Sequence, residues 1–431
     1  MKMVIVPVIV VVGVLMFTIG QTELTTVETA KNDAAAVLAM EMFAHNEKVI
    51  PLAYDHRDYH CLHVKPPEVL IRNTSNGKVT LTVAGIIGRS DGREVARFVI
   101  YEDQISALMP AANKKLNEYL SAPDDPETSE RLRRIHGEPA VLEADYCEGH
   151  ELPPSGYTCL GLAEAFYFFY EGTAVVDALE LFVEADDAQG RSSVVTIKLP
   201  YVPYTCRNEY LFPIAGACVV GSIPFGHSHR FANGQEFAID ILDIRRLDDG
   251  SFSTSRGASP MVIMGSDKAA DYWIFGRPVR AIADGVVLEV DNRYPDEFAS
   301  NPREDFNARN EQLKQHLIEQ GADPGSIPGG NYVFIDHGNG EYARYCHLRE
   351  NIPVKAGDQV KRGDVIGYVG NSGQSMEPHL HLELLDSPDI PTANGLPFAF
   401  GNLDLSRALD SPSFGARNSF VFSEFIFVIS D

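Results

Sequence analysis

From Cys206 onward the chain consists of short runs of β-formers cut by glycine and aspartate turns, and that rhythm constrains the fold more than any other feature. Gly285-Val286-Val287-Leu288-Glu289-Val290, Tyr332-Val333-Phe334-Ile335 and Val365-Ile366-Gly367-Tyr368-Val369 are too short for helices and are each bounded by turn residues. Such spacing predicts an antiparallel, all-β domain. A charged, helix-compatible stretch at 306–320 sits between two of these strands and reads as an insertion.

The preceding stretch, 60–205, has a related pattern. Val79, Leu81 and Val83 alternate with Thr80 and Thr82 between the turns Ser75-Asn76-Gly77 and Ser90-Asp91-Gly92. Leu179, Leu181, Val183 and Ala185 alternate likewise, turn at Asp187-Ala188-Gln189-Gly190, and return through Val195, Ile197 and Leu199. Period-two patterning of this kind marks strands with one buried face. A β-rich, sandwich-like accessory domain is expected over 60–205, with a charged helical insertion at 123–139. No cluster of ligating or nucleophilic side chains stands out within it. Pro200-Tyr201-Val202-Pro203 marks the boundary to the 206–431 domain.

Compartment is written at the amino terminus. Lys2 precedes an apolar or small run over 4–19, followed by Gly20 and polar Gln21-Thr22-Glu23. A membrane span needs about 20 apolar residues, so this run fits a secretory signal peptide over 1–20, with an uncleaved membrane anchor as the alternative. The expected location is exported, either periplasmic or extracellular. Residues 21–59 contain Ala34-Ala35-Ala36, Leu38, Met40 and Met42, good helix formers, and are expected to be helical or flexible. The 6 cysteines form no Cys-x-x-Cys pair; Cys147/Cys159 and Cys206/Cys218 would each close a short loop as disulfides in an oxidising compartment, with buried thiols as the alternative. With 36 Lys+Arg against 60 Asp+Glu the formal net charge is −24, which argues against a nucleic-acid partner and against docking on anionic lipid through charge.

Histidine carries the chemistry. His227, His229, His337, His347, His379 and His381 all fall within the carboxy-terminal β region. In Pro378-His379-Leu380-His381-Leu382-Glu383, alternate residues of a strand share a face, so both imidazoles can enter one cleft. Two imidazoles on one face suit two metal ligands, or one ligand and one catalytic partner. Glu236 and Asp240 share a face of the apolar segment Glu236-Phe237-Ala238-Ile239-Asp240, where a carboxylate needs a cation, a metal or a turn to cap.

The order of segments resembles the lysostaphin-like (LytM-type) zinc metallopeptidases that cut peptide bonds in bacterial cell-wall peptidoglycan. The resemblance covers about 206–400. It rests on Ala283-Asp284-Gly285, Asp336-His337-Gly338, Tyr345-Cys346-His347-Leu348, Ala356-Gly357-Asp358, Asn371-Ser372-Gly373 and Pro378-His379-Leu380-His381, in that order. It implies packed antiparallel sheets with Zn2+ in a groove, Asp240 and His381 as metal ligands, and His347 and His379 as catalytic histidines. Members usually carry His-x-x-x-Asp, which would place a histidine where this chain has Glu236. A variant layout in the family has Ser-His further upstream, and Ser228-His229 followed by Phe237-Ala238-Ile239-Asp240 is similar to it. His229 is therefore the expected third ligand, with His227 and Glu236 as alternatives.

The implied activity is zinc-dependent endopeptidase action on peptide cross-links of peptidoglycan. An inactive scaffold or activator of other cell-wall hydrolases is the alternative within the same fold. A biotinyl- or lipoyl-type carrier is the alternative from another class, suggested by the turns within 354–369 and opposed by the histidines that follow. No His-Glu-x-x-His helix is present, so a zincin's glutamate base has no counterpart. His337 is expected at a turn or behind the site, not on a metal.

Overall fold

The structure is a computed structural model that describes chiefly residues 37–107, 147–160, 166–222, 229, 234–256, 268–295, 329–402 and 426–430, apart from short gaps inside these ranges. The expected signal peptide and the expected insertions at 123–139 and 306–320 lie outside the described residues or almost entirely so. No helix among the described residues is long and apolar enough to cross a membrane. Residues 36–431 form one compact unit.

The carboxy-terminal turns and strands build an eight-stranded antiparallel sheet. Its order is Gln359–Val360, Gly285–Asp291, Asn331–Asp336, Tyr342–Leu348, Leu380–Leu385, Ile239–Leu242, Gly216–Ser222 and Ile426–Ser430. Alternation gives this sheet two different faces. Val333, Ile335, Ala343, Tyr345, Leu380 and Leu382 point into the larger hydrophobic cluster together with Ile366 and Val369. Arg344 and Cys346 lie opposite Glu383 and His381 in the register of the two central strands, and so project from the other face. Tyr332, Phe334 and Cys346 form a smaller apolar cluster on that second face.

The amino-terminal region is also β. Ser192–Lys198, Ala178–Asp187, Val79–Ser90 and Arg93–Tyr101 pair in that order, with Glu151–Leu152 added to Val79–Ser90. The alternating residues Val79, Leu81, Leu179, Leu181, Val183 and Ala185 are fully buried in a cluster of their own. Residues Leu38–Met42 and Leu52–His56 are strands, which corrects the helical expectation for this part of 21–59. The reason is tertiary pairing. Leu38–Met42 pairs along its whole length with Val69–Asn73, and Leu38 is buried against that sheet, which outweighs the helix propensity of Leu and Met.

The two regions touch at defined points. Val49 forms a parallel bridge with Tyr201, and Ile50 joins the carboxy-terminal hydrophobic cluster. Lys48 Nζ pairs with Asp386 at 2.7 Å. Tyr204, Arg207 and Asn208, just past the Pro200–Pro203 segment, converge on the buried carboxylate of Glu341. Tyr204 donates through its hydroxyl, Arg207 through its backbone N–H at 2.7 Å, Asn208 through Nδ2 at 2.5 Å, and Tyr210 adds its hydroxyl at 2.6 Å.

The expected disulfides are absent. No disulfide joins Cys147 to Cys159 or Cys206 to Cys218. Cys206 donates its thiol to the carbonyl of Asn208 at 3.2 Å, while Cys218 is buried in the hydrophobic cluster beside Arg277. Burial pushes the Cys218 thiol up to about 12, and the nearby Arg277 does not offset this.

Candidate metal centre

Neighbouring strands bring the site together by register. Asp240 lies opposite His381, and His381 also lies opposite Cys346, so the central strand Leu380–Leu385 carries its histidine between two neighbours. His229 reaches the same place from the turn that precedes the Asp240 strand. His229, Asp240 and His381 each offer one ligand atom, and these lie within 4.8 Å of one another. His229 Nε2 stands 3.3 Å from Asp240 Oδ2, and His381 Nδ1 stands 3.0 Å from Asp240 Oδ1. Two imidazole nitrogens and one carboxylate oxygen are a donor set suited to zinc. The residues present fit that metal.

His347 enters by a backbone device. Regular alternation would turn it to the same side as Tyr345, into the core. Instead it takes φ +60, a left-handed conformation uncommon for a residue with a Cβ, and its ring packs 4.6 Å from that of His379 and 5.9 Å from that of His381. His379 Nε2 lies 3.5 Å from Asp240 Oδ1. One carboxylate is thus ringed by three imidazoles, with a fourth just behind.

The other ring nitrogens are held by backbone carbonyls, which only accept. His347 Nδ1 donates to Ser372 O at 2.8 Å, His379 Nδ1 to Glu377 O at 2.8 Å and His229 Nδ1 to Ala238 O at 3.2 Å. A ring held in this way, when neutral, keeps its lone pair on Nε2. Burial, then the charge of His379 and His381, holds His347 well below the ordinary histidine range. Burial also lowers His379, and outweighs Asp240 beside it. His381 goes the other way: burial acts against its charged form, but hydrogen bonds and charge from Asp240 and Glu383 outweigh it, to about 9. Burial alone would raise Asp240, yet the surrounding histidines hold it well below the usual carboxylate range.

Of the alternatives for the third ligand, Glu236 points elsewhere. Its carboxylate accepts the backbone N–H of Gly395 at 3.3 Å and faces Lys65 at 3.9 Å, so it is not in the cluster. His227 lies outside the described residues. His337 is apart from the site: Nδ1 donates to Asp284 O at 2.9 Å and Nε2 lies 3.3 Å from the Tyr345 hydroxyl.

Three residues that matter to the site were not singled out from the sequence. Glu383 places Oε2 3.3 Å from His381 Nε2, and Arg344 Nη1 lies 3.4 Å from Glu383 Oε1. Position supplied a signal for Glu383, two residues beyond His381 on the same strand face. Ser372, which holds His347, is itself fixed: its hydroxyl donates to Leu348 O at 2.8 Å and accepts the Asn331 N–H at 2.9 Å. Nothing in the local pattern marks it beyond the Asn-Ser-Gly turn.

Residues 317–391 match the model of Peptidase family M23. That segment is therefore similar to Peptidase family M23, in keeping with the lysostaphin-like resemblance of the motifs. It is 45% identical over 76 residues to Peptidoglycan DD-endopeptidase ShyA of Vibrio cholerae, a match that covers 16% of this chain and 17% of the relative. It is 49% identical over 59 residues to an uncharacterized metalloprotease of Buchnera aphidicola, covering 14% of this chain and 15% of that one. Both matches span less than a fifth of the relative's length. Among solved structures, the catalytic domain of the antimicrobial peptidase lysostaphin from Staphylococcus simulans aligns at 24% identity and a TM-score of 0.19, over 33% of this chain and 86% of that one.

Proposed function

We propose that the chain is a zinc-dependent endopeptidase that hydrolyses peptide cross-links of bacterial cell-wall peptidoglycan after export to the periplasm or the cell exterior. The observation that carries this reading is the cluster of His229, Asp240 and His381 beside His347 and His379, whose Nδ1 atoms each lie 2.8 Å from a backbone carbonyl. The matched peptidoglycan endopeptidase supports the substrate class.

In this reading His229 Nε2, an Asp240 oxygen and His381 Nδ1 hold the metal. When bound, zinc supplies Lewis acidity at a peptide carbonyl and brings the pKa of water towards about 7. His347 and His379 do the proton work. Their Nδ1–H groups are tied to Ser372 O and Glu377 O, so each ring can receive a proton only at Nε2. A ring so held can then return that proton to the departing amine, or donate it to the oxyanion that develops at the carbonyl. Residues 60–205 serve as an accessory domain beside a catalytic 206–431 region, and 1–20 acts as the export signal or, if uncleaved, as an anchor.

The test combines metal analysis of purified protein with digestion of isolated peptidoglycan. One zinc per chain and release of shortened peptides, abolished by a chelator and restored by Zn2+, is the expected result. Zinc-loaded protein that cleaves no cross-link would instead support the scaffold role.

A further inference from the structure

His381 is gripped from both sides. Its Nδ1 faces Asp240 and the metal cluster, while Nε2 faces Glu383 at 3.3 Å. An imidazole that offers the Nδ1 lone pair to a cation must carry its proton on Nε2, and that N–H needs an acceptor. Glu383 is the acceptor in place.

A carboxylate there is withdrawn from bulk solvent. Glu383 is 2% exposed, Arg344 4% and His381 6%. Buried charge of this kind persists only with a partner, and Arg344 is the cation directly across the strand register from Glu383. Arg344 stacks its guanidinium 4.4 Å above the Tyr332 ring, and the Tyr332 hydroxyl donates to Glu289 at 2.5 Å. Its Nη1 turns to Glu383, whereas Nε and Nη2 find no hydrogen-bond partner among the described residues. Gly329 closes the space beside it, since a β-carbon there would stand 2.7 Å from Nη2. A buried guanidinium costs desolvation energy, and an apolar side chain at 344 would avoid that cost. Its charge serves Glu383.

We propose that Glu383 and Arg344 are positioning residues for the metal centre: Glu383 orients His381 through Nε2, and Arg344 holds that carboxylate in place. This rests on the metal reading of the cluster but does not require the peptidase reading. The chain of contacts runs Arg344–Glu383–His381–Asp240 across three neighbouring strands.

The measurement is Zn2+ affinity, by competition with a chromophoric chelator, alongside thermal melting of the metal-free protein. Glu383→Gln should weaken Zn2+ binding about 10- to 100-fold, the range found when such outer partners are lost. Arg344→Met should weaken it as well, and the double variant should be no weaker than Glu383→Gln alone, because Arg344 acts through the carboxylate. Arg344→Lys should restore part of the loss. A purely structural pair would lower the melting temperature of the metal-free protein and leave Zn2+ affinity of the folded fraction unchanged, and that result overturns the proposal. Should any variant fail to fold, nitrogen chemical shifts of His381 in zinc-loaded wild-type protein decide: a proton on Nε2 is expected, and one on Nδ1 refutes it. Wild-type protein that binds no Zn2+ removes the metal reading itself, whereas tight wild-type binding matched by Glu383→Gln removes only the positioning roles.

Discussion

His347 and Ser372 are joined by a hydrogen bond from imidazole Nδ1 to a backbone carbonyl at 2.8 Å, and that bond dictates where His347 can accept a proton. Because the acceptor is backbone, no side-chain substitution at 372 removes it. Ser372→Ala instead removes the hydroxyl that ties this segment to Leu348 O and the Asn331 N–H. Leaving those buried groups unmet should cost about 1–3 kcal/mol, read as a lower urea midpoint. Turnover should fall with little change in metal content, since His347 is displaced and the three proposed ligands are not.

Substitution of the histidines themselves should be more severe. His347→Ala and His379→Ala should each retain zinc and lose about 10²–10⁴-fold in kcat. Metal analysis and single-turnover assays on the same preparations check both halves. Wild-type turnover in either variant would remove that residue from proton transfer.

Metal occupancy should separate the ligand candidates. His229→Ala and Asp240→Asn should lose most zinc, whereas Glu236→Ala should keep it, because Glu236 faces Lys65 and Gly395. For the wild-type chain, free Zn2+ at 100 times Kd should raise stability by about 2.7 kcal/mol, visible as an upward shift in melting temperature. Normal zinc in His229→Ala with loss in Glu236→Ala would reassign the ligand.

Gly330 holds the two loops behind His347 together. It has φ +63, and a β-carbon there would lie 2.4 Å from the carbonyl carbon of Ser372. Gly330→Ala meets both strain and a backbone clash, so it should destabilise by about 1–3 kcal/mol or more. Equilibrium unfolding in urea measures it, and an unchanged midpoint contradicts the close approach.

A chain beginning near Tyr204 tests the role proposed for 60–205. It keeps the Glu341 clamp made by Tyr204, Arg207, Asn208 and Tyr210. It loses Ile50 from the hydrophobic cluster and the Lys48–Asp386 pair. Lys48 is an exposed partner and contributes little, about 0–1 kcal/mol, so most of the loss should come from the apolar contact. The truncated protein should bind zinc, melt at a lower temperature and still cut small cross-linked peptides. Folded, zinc-loaded protein that cuts none of the peptides cleaved by the full chain would make the amino-terminal region part of the active site.

Sequence by itself determined what depends on neighbours along the chain. The strands at 285–291, 331–336 and 365–368 follow from short apolar runs between turns, and His379 and His381 share a face because successive strand residues point to opposite sides. Tertiary structure decided the rest. Helix-forming residues at 38–42 became a strand because Val69–Asn73 offered an antiparallel partner along their whole length, which composition does not reveal. Asp240 meets His381 across 141 positions of sequence through strand register, and His229 instead of Glu236 joins them because a turn sends Glu236 towards Lys65. The side of the sheet on which His347 emerges was set by one left-handed backbone angle, against the alternation of its own strand. Local periodicity is a property of backbone geometry, legible over a few residues. Register, loop approach and charge pairing arise only when distant segments compete for the same buried space.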